Sequence, residues 1–199
     1  MRLHVTAILC SVLLAVCGVL WAFGNTASAA PQDASIPNAA SVAKPHAYVS
    51  LDPVPRGREF QAAVVVDIAR GFHMNSHKPS EEYLIPTTLT PQLPAGFQLT
   101  DTVYPNGRLE KFAFSPDKPL NVYTGSVTLK LRLLAQAGAP LGPATIPLTL
   151  RYQACNDAAC LPPVKIPVSI QLNVAAAGTK AQPSHPEIFS AMSPKAARK

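Results

Sequence analysis

The stretch of this chain densest in chemistry is RYQACNDAACLPP, residues 151–163. It carries Cys155 and Cys160 with four residues between them, and the other two cysteines, Cys10 and Cys17, lie in the first seventeen residues. A pair this close can brace a fold, hold a metal or exchange electrons. As a brace it is weak: a loop this short gains about 2 kcal/mol in the chain-entropy model, the low end for disulfides. Such a bridge can open without unfolding the domain. As a redox pair it is guarded, because the spacing is not C-x-x-C and no Lys, Arg or His lies between the cysteines. Asp157 does lie there, and a carboxylate beside a thiol disfavours the thiolate. That suits an electron carrier activated by its partner better than a free-standing oxidase. On the residues alone, redox use and bracing both stay open.

A second polar cluster, HMNSH at 73–77, offers His73, Met74 and His77 as copper or zinc ligands that a thiol pair would complete. In an extended strand, positions i and i+4 lie about 13 Å apart, too far to share one ion unless the chain turns. The favoured reading is a polar loop with Asn75, Ser76 and Pro79 as turn residues, and no metal or other cofactor is expected. Glu81 and Glu82 read as solvated, not as a catalytic carboxylate pair. The chain has no Ser-His-Asp order, phosphate loop or dinucleotide motif.

Residues that do chemistry need elements to hold them, and here those elements read as strands. EFQAAVVVDI (59–68) places Phe60, Ala62, Val64, Val66 and Ile68 on one face. NVYTGSVTLKLRLL (121–134) places Val127, Leu129, Leu131 and Leu133 opposite Lys130 and Arg132. ATIPLTLRYQA (144–154) groups Ile146, Leu148, Leu150 and Tyr152, and VKIPVSIQLNV (164–174) groups Val164, Ile166, Val168, Ile170 and Leu172. Shorter signals stand at 46–52, 71–77, 86–91 and 97–104. This period of two, rich in β-branched residues and punctuated by Pro and Gly, describes half-buried antiparallel strands. There is no convincing amphipathic helix and no internal repeat. The expected fold is all-β, an immunoglobulin-like antiparallel β-sandwich over residues 46–174. The cysteine pair joins two of its strongest strands and so sits at one end.

Composition agrees. Only 14% of the 199 residues are charged, and the 21 prolines are about twice the usual share. They bound short apolar runs, as turns and sheet edges do. The formal charge of +6 is concentrated outside the sandwich, since residues 46–174 hold 11 Lys/Arg against 9 Asp/Glu. Basic residues are not interleaved with aromatics in a stripe, so nucleic-acid binding is not expected.

The ends read as appendages. Arg2, the run Val5–Phe23 and Ala27-Ser28-Ala29 form a secretory signal-peptide pattern over 1–29. Cleavage after Ala29 is the favoured outcome, although an apolar run of this length also suits an uncleaved anchor. LAVC at 14–17 departs from a lipoprotein box at Val16. Residues 30–45 read as a flexible lead-in, and 175–199 as a disordered basic tail in which only Ile188 and Phe189 can anchor anything. With the leader removed, two cysteines remain, an even count that points to a disulfide in an oxidising compartment.

The motif YQACNDAACLPP, followed by a strand rich in Val, Ile and Pro, resembles the cysteine motif of the N-terminal periplasmic domain of the thiol:disulfide interchange protein DsbD. GFHMNSHKPSEEYLIPTTL (71–89) resembles a second stretch of that domain family. The resemblance covers roughly 46–174 and implies an immunoglobulin-like sandwich that passes reducing equivalents in the periplasm. It implies Cys155 and Cys160 as the redox pair, with Cys160 attacking the partner's disulfide and Cys155 resolving the mixed disulfide. It also implies a cap over the sulfurs, for which LEKFAFSPDKP (109–119) is the candidate segment through Phe112 or Phe114. Tyr152 is a further candidate for shielding, and Asp157 for tuning the thiols. The implied partners are thioredoxin-like periplasmic proteins, disulfide isomerases and cytochrome c maturation proteins among them. The implied donor is membrane-embedded and of DsbD type. The cysteine gap is one residue shorter than in the best-known members. A stand-alone, monomeric and exported domain is expected, with tethering to the inner membrane by an uncleaved N-terminus as the alternative. The other readings left open are a non-catalytic sandwich that binds a protein partner and carries a structural bridge, and a copper or zinc chaperone.

Overall fold

The computed structural model describes residues 38–190. The signal-peptide reading, Cys10, Cys17, the first half of the lead-in and the basic end at Lys195, Arg198 and Lys199 lie outside them.

Four long strands with one apolar face each set the architecture, because each must bury that face against another layer. In order, the strands are β1 (Ala43–Val49), β2 (Leu51–Asp52), β3 (Val54–Pro55), β4 (Arg58–Ile68) and β5 (His73–Asn75). Then come β6 (Thr88–Pro91), β7 (Phe97–Val103), β8 (Arg108–Phe112), β9 (Ser115–Tyr123) and β10 (Ser126–Ala135). The last are β11 (Gly142–Tyr152), β12 (Ala154–Cys155), β13 (Val164–Ala175) and β14 (Gln182–Pro183), with one helical turn, α1 (Pro186–Phe189).

One layer has the order β1-β4-β10-β7 and the other β3-β13-β11-β6. The ladders are antiparallel, apart from the short β13–β3 pairing. This is an all-β, immunoglobulin-like sandwich. Phe60, Ala62, Val64 and Val66 from β4 meet Leu129, Leu131 and Leu133 from β10 on one side of the core. Ile146, Leu148, Leu150 and Tyr152 from β11 meet Val168, Ile170 and Leu172 from β13 on the other. These are the faces that the period of two assigns inward.

A third sheet, β12-β5-β9-β8, stands at one end and carries the cysteines. It has its own small core of Leu84, Phe112, Leu120 and Val122.

Several boundaries differ from the sequence expectation. The run 121–134 is two strands: Gly125 adopts φ 68°, a left-handed conformation that glycine takes without a Cβ penalty, and there the chain passes from the end sheet (β9) into the main layer (β10). The segment 109–119 is a β-hairpin, not a loop, with Phe112 paired to Ser115 around Ala113 and Phe114. Pro116 and Pro119 concealed that strand. The lead-in is ordered from Asn38: a 3-10 turn at Ala39–Ser41 buries Ala39 and Val42 in the main core, and β1 starts at Ala43. Its Ala/Pro/Ser composition has no periodicity to reveal this.

The tail is structured as far as Ser190 among the described residues. β14 pairs with β2, and the Lys130 ammonium donates to the Ile188 carbonyl at 2.7 Å beneath the Phe189 ring. Lys130, expected on an open outer face, is therefore 5% exposed, and burial lowers its pKa.

Leu131 is fully buried and Leu109 is 72% exposed. Leu131→Ala is expected to lower stability by about 2–5 kcal/mol in urea denaturation. Leu109→Ala is expected to change it by less than about 0.5 kcal/mol.

Candidate functional site

The site begins where β11 ends. After Tyr152 the chain steps into the end sheet: Ala154 pairs with Met74 and Cys155 with His73. Gln153 fixes the junction. Its backbone carbonyl accepts from Asn75 N at 3.2 Å, and its side-chain oxygen accepts from Asn75 Nδ2 at 3.2 Å and from Ile85 N. Its side-chain nitrogen donates to the Leu161 carbonyl. Asn75 Nδ2 also donates to the Ile85 carbonyl, and Thr87 Oγ1 to the Asn75 carbonyl at 2.6 Å. Both margins of the cysteine hairpin are thus tied to β5 and to the segment that follows it.

The hairpin itself is held by Asn156. Its Oδ1 accepts from Ala158 N at 2.9 Å and Ala159 N at 2.8 Å, an Asx-type turn that substitutes for a backbone partner. Asn156 N donates to the Ala159 carbonyl, and Leu161 N to the Ala154 carbonyl. Cys155 and Cys160 face one another as an isolated antiparallel bridge, 3.9 Å apart at Cα, and are joined as a disulfide. The two sulfur-bearing residues differ in access: Cys155 is fully buried, whereas Cys160 is exposed.

The cap candidates separate. Phe112 is 9% exposed and stacks on His73, with ring centroids 4.0 Å apart and planes 21° from parallel. Phe114 is 43% exposed and lies nearly parallel to Phe112 at 5.5 Å. The hairpin tip therefore lays two aromatic rings over the imidazole beside Cys155. Tyr152 does not join them. The inward alternation of β11 sends it into the main core, where its hydroxyl donates to the Ala39 carbonyl at 2.7 Å and burial raises its pKa. Its expected shielding role is corrected accordingly. Asp157 is exposed on the turn, and its charge acts on His73.

His73 is the residue that sequence reasoning misplaced. It is a buried strand residue at 3% exposure, not part of a polar loop, and Asn75 and Ser76 are buried with it. Burial pushes the His73 pKa down to about 4, and the negative charge of Asp157 partly opposes this. Its Nε2 is buried without a hydrogen-bond partner. The one sequence signal was its place between Phe72 and Met74 in a short apolar run, and the register with Cys155 cannot be read from that. His77 goes elsewhere, stacked on Tyr104 at 3.6 Å with Nδ1 against the Thr87 carbonyl. The two histidines do not converge, and among the described residues no group of three or more His, Cys, Asp and Glu is placed to hold a metal ion. Glu81, read as solvated, pairs with Lys118 of β9 at 3.2 Å, an exposed contact of small energetic weight.

The family model described as "Thiol:disulfide interchange protein DsbD, N-terminal" matches residues 39–171. The chain belongs to that family. Its matched region holds the end sheet, the aromatic hairpin tip and both cysteines. Among solved structures, the chain is similar to the reduced N-terminal domain of DsbD from Neisseria meningitidis, at 19% identity and a TM-score of 0.43, covering 74% of this chain and 94% of that one. It is also similar to the N-terminal periplasmic domain of ScsB from Proteus mirabilis, at 13% identity and a TM-score of 0.44. That match covers 66% of this chain and 46% of the other. No curated protein compared with the chain matches it significantly.

The depressed His73 pKa has a pH signature. Folded His73 stays neutral down to about pH 4, while the unfolded ring protonates near its ordinary value of 6.5. The associated stability is therefore complete above pH 6.5 and is lost as pH falls from there toward 4, by at most about 1.4 kcal/mol per pH unit. Urea denaturation from pH 7 to 4.5 is expected to show this slope in the native chain and a flatter one in His73→Phe.

Proposed function

We propose that this chain is a periplasmic thiol–disulfide exchange domain in which Cys155 and Cys160 pass reducing equivalents to thioredoxin-like partner proteins. Membership in the DsbD N-terminal family supports the exchange chemistry. The observation that carries the residue assignment is the unequal access of the two joined cysteines, one buried and one exposed. In the reduced chain the exposed Cys160 thiolate attacks a partner disulfide and expels one partner sulfur. Cys155 then attacks Cys160, closes the internal bond and releases the second partner sulfur. Two electrons and two protons leave the chain and reduce the partner's disulfide to a dithiol. A membrane-embedded donor of DsbD type would restore the dithiol. Partners of the disulfide isomerase or cytochrome c maturation type fit this direction of flow.

The rest of the site supports a guarded pair. The bridge links near neighbours, while the β11–β13 ladder runs from Gly142↔Val174 to Tyr152↔Val164 without it. The aromatic tip at Phe112 and Phe114 covers the Cys155 side through His73. Phe112→Ala is expected to speed reduction of the bond by a small thiol several-fold, followed as thiol release. An unchanged rate would remove Phe112 from the cap.

The decisive experiment is trapping. Cys155→Ser, incubated with an oxidised thioredoxin-like protein, is expected to accumulate a mixed disulfide on a non-reducing gel. Cys160→Ser is expected to accumulate at least about tenfold less. Equal trapping by both would reverse or abolish the assigned order. No trapping, with an internal bond that resists strong reductant in the folded chain, would leave a structural bridge in a protein-binding sandwich.

A further inference from the structure

The exchange reading leaves one conspicuous group without a task. His73 Nε2 is buried and has no hydrogen-bond partner. A buried polar atom left unpaired carries a free-energy cost, and such atoms are rare in folded proteins. The register says what lies beside it. Cys155 and His73 are directly opposite in an antiparallel pair, so their side chains rise from the same face with Cβ atoms about 5 Å apart. The other unpaired buried side-chain atom among the described residues is Asn75 Oδ1. Asn75 stands two positions along β5, and its amide is already engaged with Gln153 and Ile85.

In the disulfide state Cys155 Sγ has no hydrogen to donate. In the reduced state it gains one, at a position that is fully buried from water. We propose that neutral His73 is the proton acceptor for Cys155: Nε2 takes the hydrogen bond of the Cys155 thiol and receives its proton when Cys155 closes the internal disulfide. The inference rests on the exchange reading and adds a residue to its second step. In that step the Cys155 S–H bond breaks and its proton moves to Nε2. Cys155 Sγ bonds Cys160 Sγ, and the bond between Cys160 and the partner sulfur breaks with its electron pair on the partner. The partner thiolate then takes a proton from the imidazolium or from solvent.

The surroundings suit a relay. With its pKa held near 4, the ring is neutral at neutral pH and free to accept a hydrogen bond, but it is a weak base, so the proton moves to it only as the S–S bond forms, and its conjugate acid releases the proton readily. Phe112 stacks on the ring and fixes its plane. The charged groups around it are Asp157 on the turn after β12, Glu110 on β8 and Arg70 ahead of β5. All three line one cavity of about 430 Å³ with His73 and Phe112. Of these, the Asp157 carboxylate favours a transient imidazolium, against the burial that disfavours it.

The test uses the reduced full chain and a substoichiometric aromatic disulfide, dithiobis(nitrobenzoate). Attack by Cys160 and closure by Cys155 each release one coloured thiolate, giving two phases. His73→Phe keeps an aromatic ring for Phe112 to stack on, and His73→Gln keeps a hydrogen-bond acceptor that cannot take a proton. The ratio of second-phase to first-phase rate is expected to fall at least about tenfold in both variants, with the first phase reporting an intact site. Their second phase is also expected to rise about tenfold per pH unit below the thiol range, where the native chain rises less steeply. An unchanged ratio and pH profile in both variants would overturn the role of His73 and leave the exchange reading standing. Absence of a first phase in the native chain would overturn the exchange reading itself, and this inference with it.

Discussion

The site depends on a two-residue antiparallel pairing, Ala154 with Met74 and Cys155 with His73. It turns the chain out of the long β11–β13 ladder and into a separate sheet. Without it the cysteine hairpin would be a free loop between two strands. With it, Cys155 is a strand residue with a fixed face, a fixed neighbour and no access to solvent. Two pairs are too few to hold a register by themselves. Gln153 and Asn75 supply what they lack, bonding side chain to side chain and backbone to backbone at the adjacent position. A polar pair at the mouth of a core is costly when half satisfied, so its several bonds make one register much preferable to a slipped one.

The same arrangement separates folding from chemistry. The sandwich core draws on β4, β10, β11 and β13, and none of its ladders runs through the disulfide. The end sheet has a second core, in which Phe112 packs with Leu84, Leu120 and Val122. Phe112 thus belongs to a core on one side and covers His73 on the other. If Phe112 serves as the proposed cap, this anchoring holds it over His73 at little ordering cost, whereas Phe114, further out and more exposed, has no such anchor.

Much of this was legible in the sequence, for a definable reason. β4, β10, β11 and β13 alternate cleanly because each has one face in the core and one toward solvent, and the period of two survives in the residue types. The cysteine pair was legible because its residue type is rare and its spacing short. What stayed hidden was pairing between distant segments. The short strand signal at 71–77 holds β5, but His73 looks like a polar turn residue or a metal ligand until β5 is laid beside β12, because three residues carry too little pattern to show which strand they pair with. β8 and the start of β9 were masked by Pro116, Pro119 and their charges, which suit a sheet edge as well as a loop. Tyr152 misled in the other direction: nearness in sequence suggested nearness to the sulfurs, but alternation sends it to the opposite side of the junction. The tail failed on composition, because a Lys130 buried beneath α1 is a tertiary event that no local pattern encodes.

Asymmetry between the two cysteines follows from this geometry more directly than from the charge of Asp157. The Asx turn at Asn156 reverses the chain within four residues, so one cysteine must lie on the sheet and the other at its rim. The inner one is shut in by β5 and, through His73, by the aromatic hairpin tip. Among the described residues, the outer one has no strand beyond it. On the proposed exchange reading, attack on a partner disulfide begins at Cys160, because Cys155 is buried and Cys160 is exposed. In the proposed sequence Asp157 acts one step later: from the rim its charge reaches His73, the group beside the inner sulfur, and favours the imidazolium there. The carboxylate that discourages a thiolate when read along the chain can, across the sheet, help take a proton away from one.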